Sequence, residues 1–105
     1  MKYVYPACFY KEEDGRMSVE IPDLNLATYG GDFSDAMYMA IDAAAGRLAL
    51  MLNDGEVAPK PSKQTDIIPD DETGFVSLLH IDLEAAKTAY SGMPANKNIV
   101  ESVVA

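Results

Sequence analysis

Met17-Ser18-Val19-Glu20-Ile21-Pro22-Asp23-Leu24-Asn25-Leu26-Ala27-Thr28-Tyr29-Gly30-Gly31-Asp32-Phe33-Ser34-Asp35-Ala36-Met37 contains the change of period on which the fold turns. Met17, Val19 and Ile21 alternate with Ser18 and Glu20, the period of two that marks a strand with one wet face. Pro22-Asp23 closes that strand, and Leu26 to Tyr29 supplies a short further one before Gly30-Gly31 breaks the pattern. From Phe33 onward the apolar residues shift to helical spacing: Phe33, Met37, Ile41, Ala44, Leu48 and Met51, with Ala40, Ala45 and Leu52 widening the stripe. Asp32 is placed to accept from first-turn amides, and Asp35 adds charge that suits the positive end of the helix. Asn53-Asp54-Gly55 supplies a left-handed stop. The alanines would let this helix lie close to a sheet, so Met37, Met39 and Met51 are expected as core filler.

Working outward toward the N-terminus, Lys2 to Tyr10 is rich in tyrosine, valine and phenylalanine and reads as a first strand, apolar on both faces. Lys11 to Gly15 is turn chemistry, with Gly15 free to take positive φ. Three antiparallel strands in succession then make a meander. Toward the C-terminus, Glu56 to Gly74 has three prolines, several charges and little periodicity, the pattern of an extended surface connection. Phe75 to Ile81 is a nearly continuous apolar run, expected as a strand covered on both faces and joined to the same sheet. Asp82 is placed to cap a short helical turn reaching Tyr90. Ser91-Gly92-Met93-Pro94 ends that turn before a weakly patterned tail from Ala95 to Ala105. The order is β-β-β-α-β, an α+β fold.

Composition narrows the functional classes. At 105 residues with 49% apolar and 24% charged side chains, the chain is the size of one compact domain. No apolar run approaches the roughly 20 residues of a membrane span, and no signal-peptide pattern opens the chain, so a soluble cytoplasmic protein is expected. Eight basic residues against 17 acidic ones give a net charge of -9, which repels nucleic-acid phosphates and favours a basic partner. Cys8, alone and set in an apolar stretch, is expected to be a buried reduced thiol.

Pro22-Asp23-Leu24 followed by Ala27 to Ala40, together with Tyr3-Val4-Tyr5-Pro6-Ala7 at the start, resembles the signature of HicB-type antitoxins. Asp54-Gly55-Glu56 with Pro59-Lys60-Pro61-Ser62, and His80-Ile81-Asp82-Leu83-Glu84-Ala85, extend the similarity over most of residues 1–87. The resemblance implies a partial ribonuclease-H-like toxin-binding domain over residues 1–90. It implies as partner a HicA-like toxin, a small basic ribonuclease with a double-stranded-RNA-binding-like fold and a catalytic histidine. Homo-oligomers, dimers or tetramers, are implied as well. Relatives usually carry a C-terminal DNA-binding and dimerisation module that represses their operon, so residues 91–105 are expected to be a remnant of such a module or a link to one, with Asn96 to Val100 standing where its basic strand would begin. Operator DNA is a partner only if such a module follows Ala105. One departure is local: between Leu24 and Ala27 stand only Asn25-Leu26, where the family shows a slightly longer turn.

A fold related to nucleases requires a test for catalytic chemistry. Two-metal nucleases need converging carboxylates, yet Lys2 to Tyr10 contains no Asp or Glu, the position from which active enzymes resembling this fold supply an essential metal ligand. Asp32 and Asp35 are accounted for by helix capping, Asp42 lies on the polar side of the helix, and His80 has no second histidine or cysteine with which to share a metal. No phosphate loop, Cys-x-x-Cys pair or nucleophile elbow is present. No enzyme, cofactor or metal is therefore expected. The acidic run Asp66, Asp70, Asp71 and Glu72 either solvates the long connection or bridges to a partner's arginines. Candidate partner contacts are Asp23, Asp32, Asp35, Asp70, Asp71 and Glu72. Two rival readings are a residual metal-dependent nuclease, resting on Asp23 and Asp32, and a stand-alone oligomeric interaction domain pairing through an exposed sheet edge.

Overall fold

The computed structural model describes residues 1–84 and 100–101. Strands β1 (Lys2–Lys11), β2 (Met17–Ile21) and β3 (Leu26–Gly30) precede helix α1 (Phe33–Asn53), and β4 (Phe75–Asp82) follows. A two-residue strand, β5 (Val100–Glu101), completes an antiparallel sheet of order β4-β1-β2-β3-β5. This is the expected α+β architecture, a meander packed on one long helix, with one strand added. Val100, expected in the tail beyond this domain, pairs with Ala27 of β3. The rest of the expected tail, and the helical turn beyond Leu83 and Glu84, lie outside the described residues.

The pleat decides what α1 covers. Tyr5, Ala7 and Phe9 of β1 turn to one face with Val19, Ile21, Leu26, Leu79 and Ile81, and all are buried in one core with the helix. From α1 that core receives Ala36, Ala40, Ala43, Ala44, Ala45 and Leu48. The buried stripe is thus centred on alanines, one position round from the expected one: Phe33 is 42% exposed, and Met37, Ile41 and Leu52 pack at the margin of the core. The reason is distance. Small side chains seat the helix backbone against the sheet, and the larger ones fill the wedge to either side. Gly30 shows how tight the seat is, because a Cβ there would overlap the backbone of Asp35 and Ala36.

Both expected helix ends are present. Asp32 accepts from the Asp35 N–H at 2.8 Å, and the Asp35 carboxylate accepts in return from the Gly31 N–H at 2.8 Å. That reciprocal arrangement satisfies two amides with no other partner in the first turn. At the far end Gly55 takes φ +79°, Gly55 N–H donates to Leu52 and Glu56 N–H to Met51, a Schellman closure.

One expectation is corrected. β4 is not covered on both faces: it is an outer strand paired only with β1, with Leu79 and Ile81 buried and Phe75, His80 and Asp82 exposed. The strand enclosed on both sides is β1, buried continuously from Tyr5 to Tyr10. The β2–β3 junction, where the sequence departs from the family pattern, is a 3-10 turn, Pro22–Leu24, closed by Asn25 at φ 53°. Asparagine tolerates the left-handed region better than most residues, which lets the short Asn25-Leu26 junction reverse the chain.

Candidate partner-binding surface

The six candidate carboxylates fall into two places. Asp23 sits beside the β2–β3 junction, partly buried, where its oxygens accept from the N–H of Ser62 at 2.8 Å and the hydroxyl of Ser62 at 2.6 Å. It is a tether for the long connection. The other five lie toward the opposite end of the sheet but on two faces: Asp32 and Asp35 at the start of α1, and Asp70 beside Tyr10 on the face away from the helix, with Asp71 and Glu72 following it. Asp32 and Asp35 cap the helix as described. Asp71 accepts from the Thr73 hydroxyl at 2.5 Å and the Thr73 N–H at 2.8 Å, bonds that with a further one from the Gly74 N–H hold its carboxyl below the usual range. Asp70 and Glu72 are exposed.

The connection from Glu56 to Gly74 is a strap fixed to the sheet at several points, among them Gln64, whose side-chain N–H donates to the Val76 carbonyl at 3.3 Å. Tyr5, on the helix face, donates through its hydroxyl to the Pro59 carbonyl at 2.6 Å; Asp23 then holds Ser62; and the Asp70 N–H donates to the Tyr10 hydroxyl at 2.9 Å. Tyr5 and Tyr10 project from opposite faces of β1, so the strap passes from the helix side of the sheet to the other. On that face it lies against Tyr10, which is buried together with Pro6 and Cys8 although α1 lies elsewhere. Burial pushes the Tyr10 hydroxyl up to about 12, offset in part by the Asp70 N–H and reinforced by neighbouring charges. Burial also raises the Cys8 thiol, a free and inert cysteine as expected. Glu20, on the same face, is raised first by desolvation and then by the charge of Asp70.

At the hairpin end three rings meet. Phe9 is fully buried; Phe33 lies 5.1 Å from it and Phe75 5.5 Å, and the last two are 5.7 Å from each other. Phe33 and Phe75 are each 42% exposed. Sequence reasoning assigned Phe33 to the core stripe and missed the cluster, because its members come from three separate elements. The available signal was that Phe33 stands between Asp32 and Ser34-Asp35, and Phe75 follows Asp71-Glu72-Thr73-Gly74, polar company unusual for core phenylalanines.

Other candidates do not assemble. His80 is exposed on β4 opposite Val4. Among the described residues no group of three or more His, Cys, Asp or Glu could hold a metal ion, and no helix is long and apolar enough to cross a membrane. A shallow depression of about 410 Å³ between the C-terminal part of α1 and the strap is lined by Asp23, Arg47, Leu50, Asp54 and Pro59.

No protein-family model matches the chain, and no curated protein matches it. Among solved structures, the chain is similar to one in a toxin–antitoxin complex from Streptococcus pneumoniae, with 23% sequence identity, 95% of this chain and 81% of that one covered, and a TM-score of 0.72. At that identity the likeness establishes a shared fold, spanning nearly the whole chain.

Proposed function

We propose that this protein is an antitoxin that binds and neutralises a basic ribonuclease toxin of HicA type by covering it. The observation that carries the reading is the fold it shares, over 95% of its length, with a chain of a toxin–antitoxin complex. Two further features support it. The net charge of -9 is complementary to a basic partner and steers encounter with it. The motif resemblance to HicB-type antitoxins runs through the same residues that build the β2–β3 junction and the start of α1. The role is binding rather than catalysis, since β1 carries no carboxylate and Asp32, Asp35 and Asp71 are engaged in holding backbone turns. So acidic a chain also argues that any operator contact belongs to a separate basic module.

Titration calorimetry of residues 1–105 against the HicA-like protein encoded beside this gene, at two salt concentrations, tests the reading. Nanomolar binding that weakens with salt is expected. Absence of binding at low salt overturns it.

A further inference from the structure

We propose that the Phe33–Phe75 platform is a docking surface for a basic polypeptide that presents an arginine to it, the rings taking the guanidinium face and the carboxylates that flank them along the chain meeting its charge. This deepens the antitoxin reading by naming where the toxin sits, and rests on that reading only for the partner's identity.

Singly scattered apolar side chains are ordinary on any surface. Leu50, Val57 and Ile68 are more exposed than either phenylalanine. What sets Phe33 and Phe75 apart is that they touch each other and both rest on Phe9, which is fully buried. Rings fixed from below present area at little entropic cost, a property of the aromatic anchors that dominate interfaces. Their rotamers need not be frozen by the partner.

Charge selects the occupant. Segments 30–37 and 71–77, which carry the two rings, contain Asp32, Asp35, Asp71 and Glu72 and no lysine or arginine, whereas Asp70 faces Tyr10 on the other side of the sheet; Lys11, at the end of β1, is the nearest cation along the strand that holds Phe9. A second copy of this chain, with the same net charge of -9, would meet it with like charge and is disfavoured. Arginine fits better than lysine because its planar guanidinium stacks on a ring while its edge forks to carboxylates. The protein shows this arrangement in itself: the Arg16 guanidinium lies 5.0 Å over the Tyr29 ring while its Nε bonds Asp14 at 2.7 Å. Phe33 and Phe75, flanked in sequence by Asp32, Asp35 and Glu72, offer the same chemical groups to a side chain from outside.

The test has two arms. In the first, the full chain is titrated with a short amidated oligo-arginine peptide and with oligo-lysine of equal length, followed by amide and aromatic NMR shifts. The arginine peptide is expected to shift Phe33 and Phe75 most and to bind more tightly than the lysine peptide. Phe33→Leu and Phe75→Leu, which keep the patch apolar, should each weaken arginine-peptide binding about threefold to tenfold. Glu72→Gln should weaken it and flatten its salt dependence, while Leu50→Ser leaves it unchanged. Shifts centred instead on the depression near Asp23 and Asp54, or unaltered affinity in folded leucine variants, overturn the proposal. If a leucine variant fails to fold, the shift map of the unaltered chain and Glu72→Gln still decide. In the second arm the neighbouring basic toxin replaces the peptide. Toxin binding that survives both leucine substitutions sinks the platform and spares the antitoxin reading; a toxin that never binds sinks that reading, and the peptide arm still judges the surface.

Discussion

Replacing Tyr10 by phenylalanine leaves its buried ring in place and removes the acceptor for the Asp70 N–H, so the strap loses its fixing on the second face. The expected cost is about 1 kcal/mol in denaturant unfolding, with faster proteolysis confined to residues 63–74. Asp32→Ala removes the acceptor at the start of α1 and is expected to cost a similar ~1 kcal/mol. Glu20 behaves differently because it titrates. Desolvation and the charge of Asp70 hold its folded pKa above the ordinary value, so the folded protein takes up the proton more readily than the unfolded chain. Stability tied to Glu20 is therefore full below the ordinary glutamate value and is lost as pH rises through the folded one. Glu20→Gln should raise Tm at neutral pH, and the gain should vanish on acidification. Asp71 works in the opposite sense: its depressed pKa contributes stability above the ordinary aspartate value that is lost as pH falls through the folded one. Melting curves of Glu20→Gln and Asp71→Asn across the acidic range separate the two.

Helix α1 is the element whose packing is most exacting. Leu48→Ala, in the fully buried part of the stripe, is expected to cost ~2–5 kcal/mol. Gly30→Ala, which forces β3 away from the first turn of α1, should cost ~3 kcal/mol or more, seen as a lowered Tm with unchanged unfolding slope. These elements were legible to different degrees for physical reasons. The caps at Asp32 and Gly55 are local chemistry, and local chemistry is written in adjacent residues. The apolar run of β4 looked like an interior strand because Val76 and Leu78, on the face away from α1, are half-buried apolar residues alternating with Leu79 and Ile81 on the helix-facing side. Which strand lies at the edge depends on pairing between residues as far apart as Phe9 and Phe75, and no window along the chain contains both. The same separation hid the aromatic platform, whereas the capping roles of Asp32 and Asp35 were plain from their place before the helix.

At the scale of the whole molecule, acidity and fold point in one direction. A surface of net charge -9 is expected to accelerate association with a basic partner, with the on-rate falling as salt rises and the off-rate carrying the effect of changes at the platform. Stopped-flow association at several ionic strengths checks that division. The strap has a further consequence, in time rather than in space. β4 must find β1 across sequence separations as long as any in the described sheet, while the meander and α1 are assembled from near neighbours. By fastening the chain to Asp23 at Ser62, the strap divides one wide loop closure into two shorter ones, and a closure made in stages carries a smaller entropic barrier at each. Asp23→Ala should therefore slow refolding as well as speed unfolding, so that a residue outside β4 sets the pace at which β4 arrives.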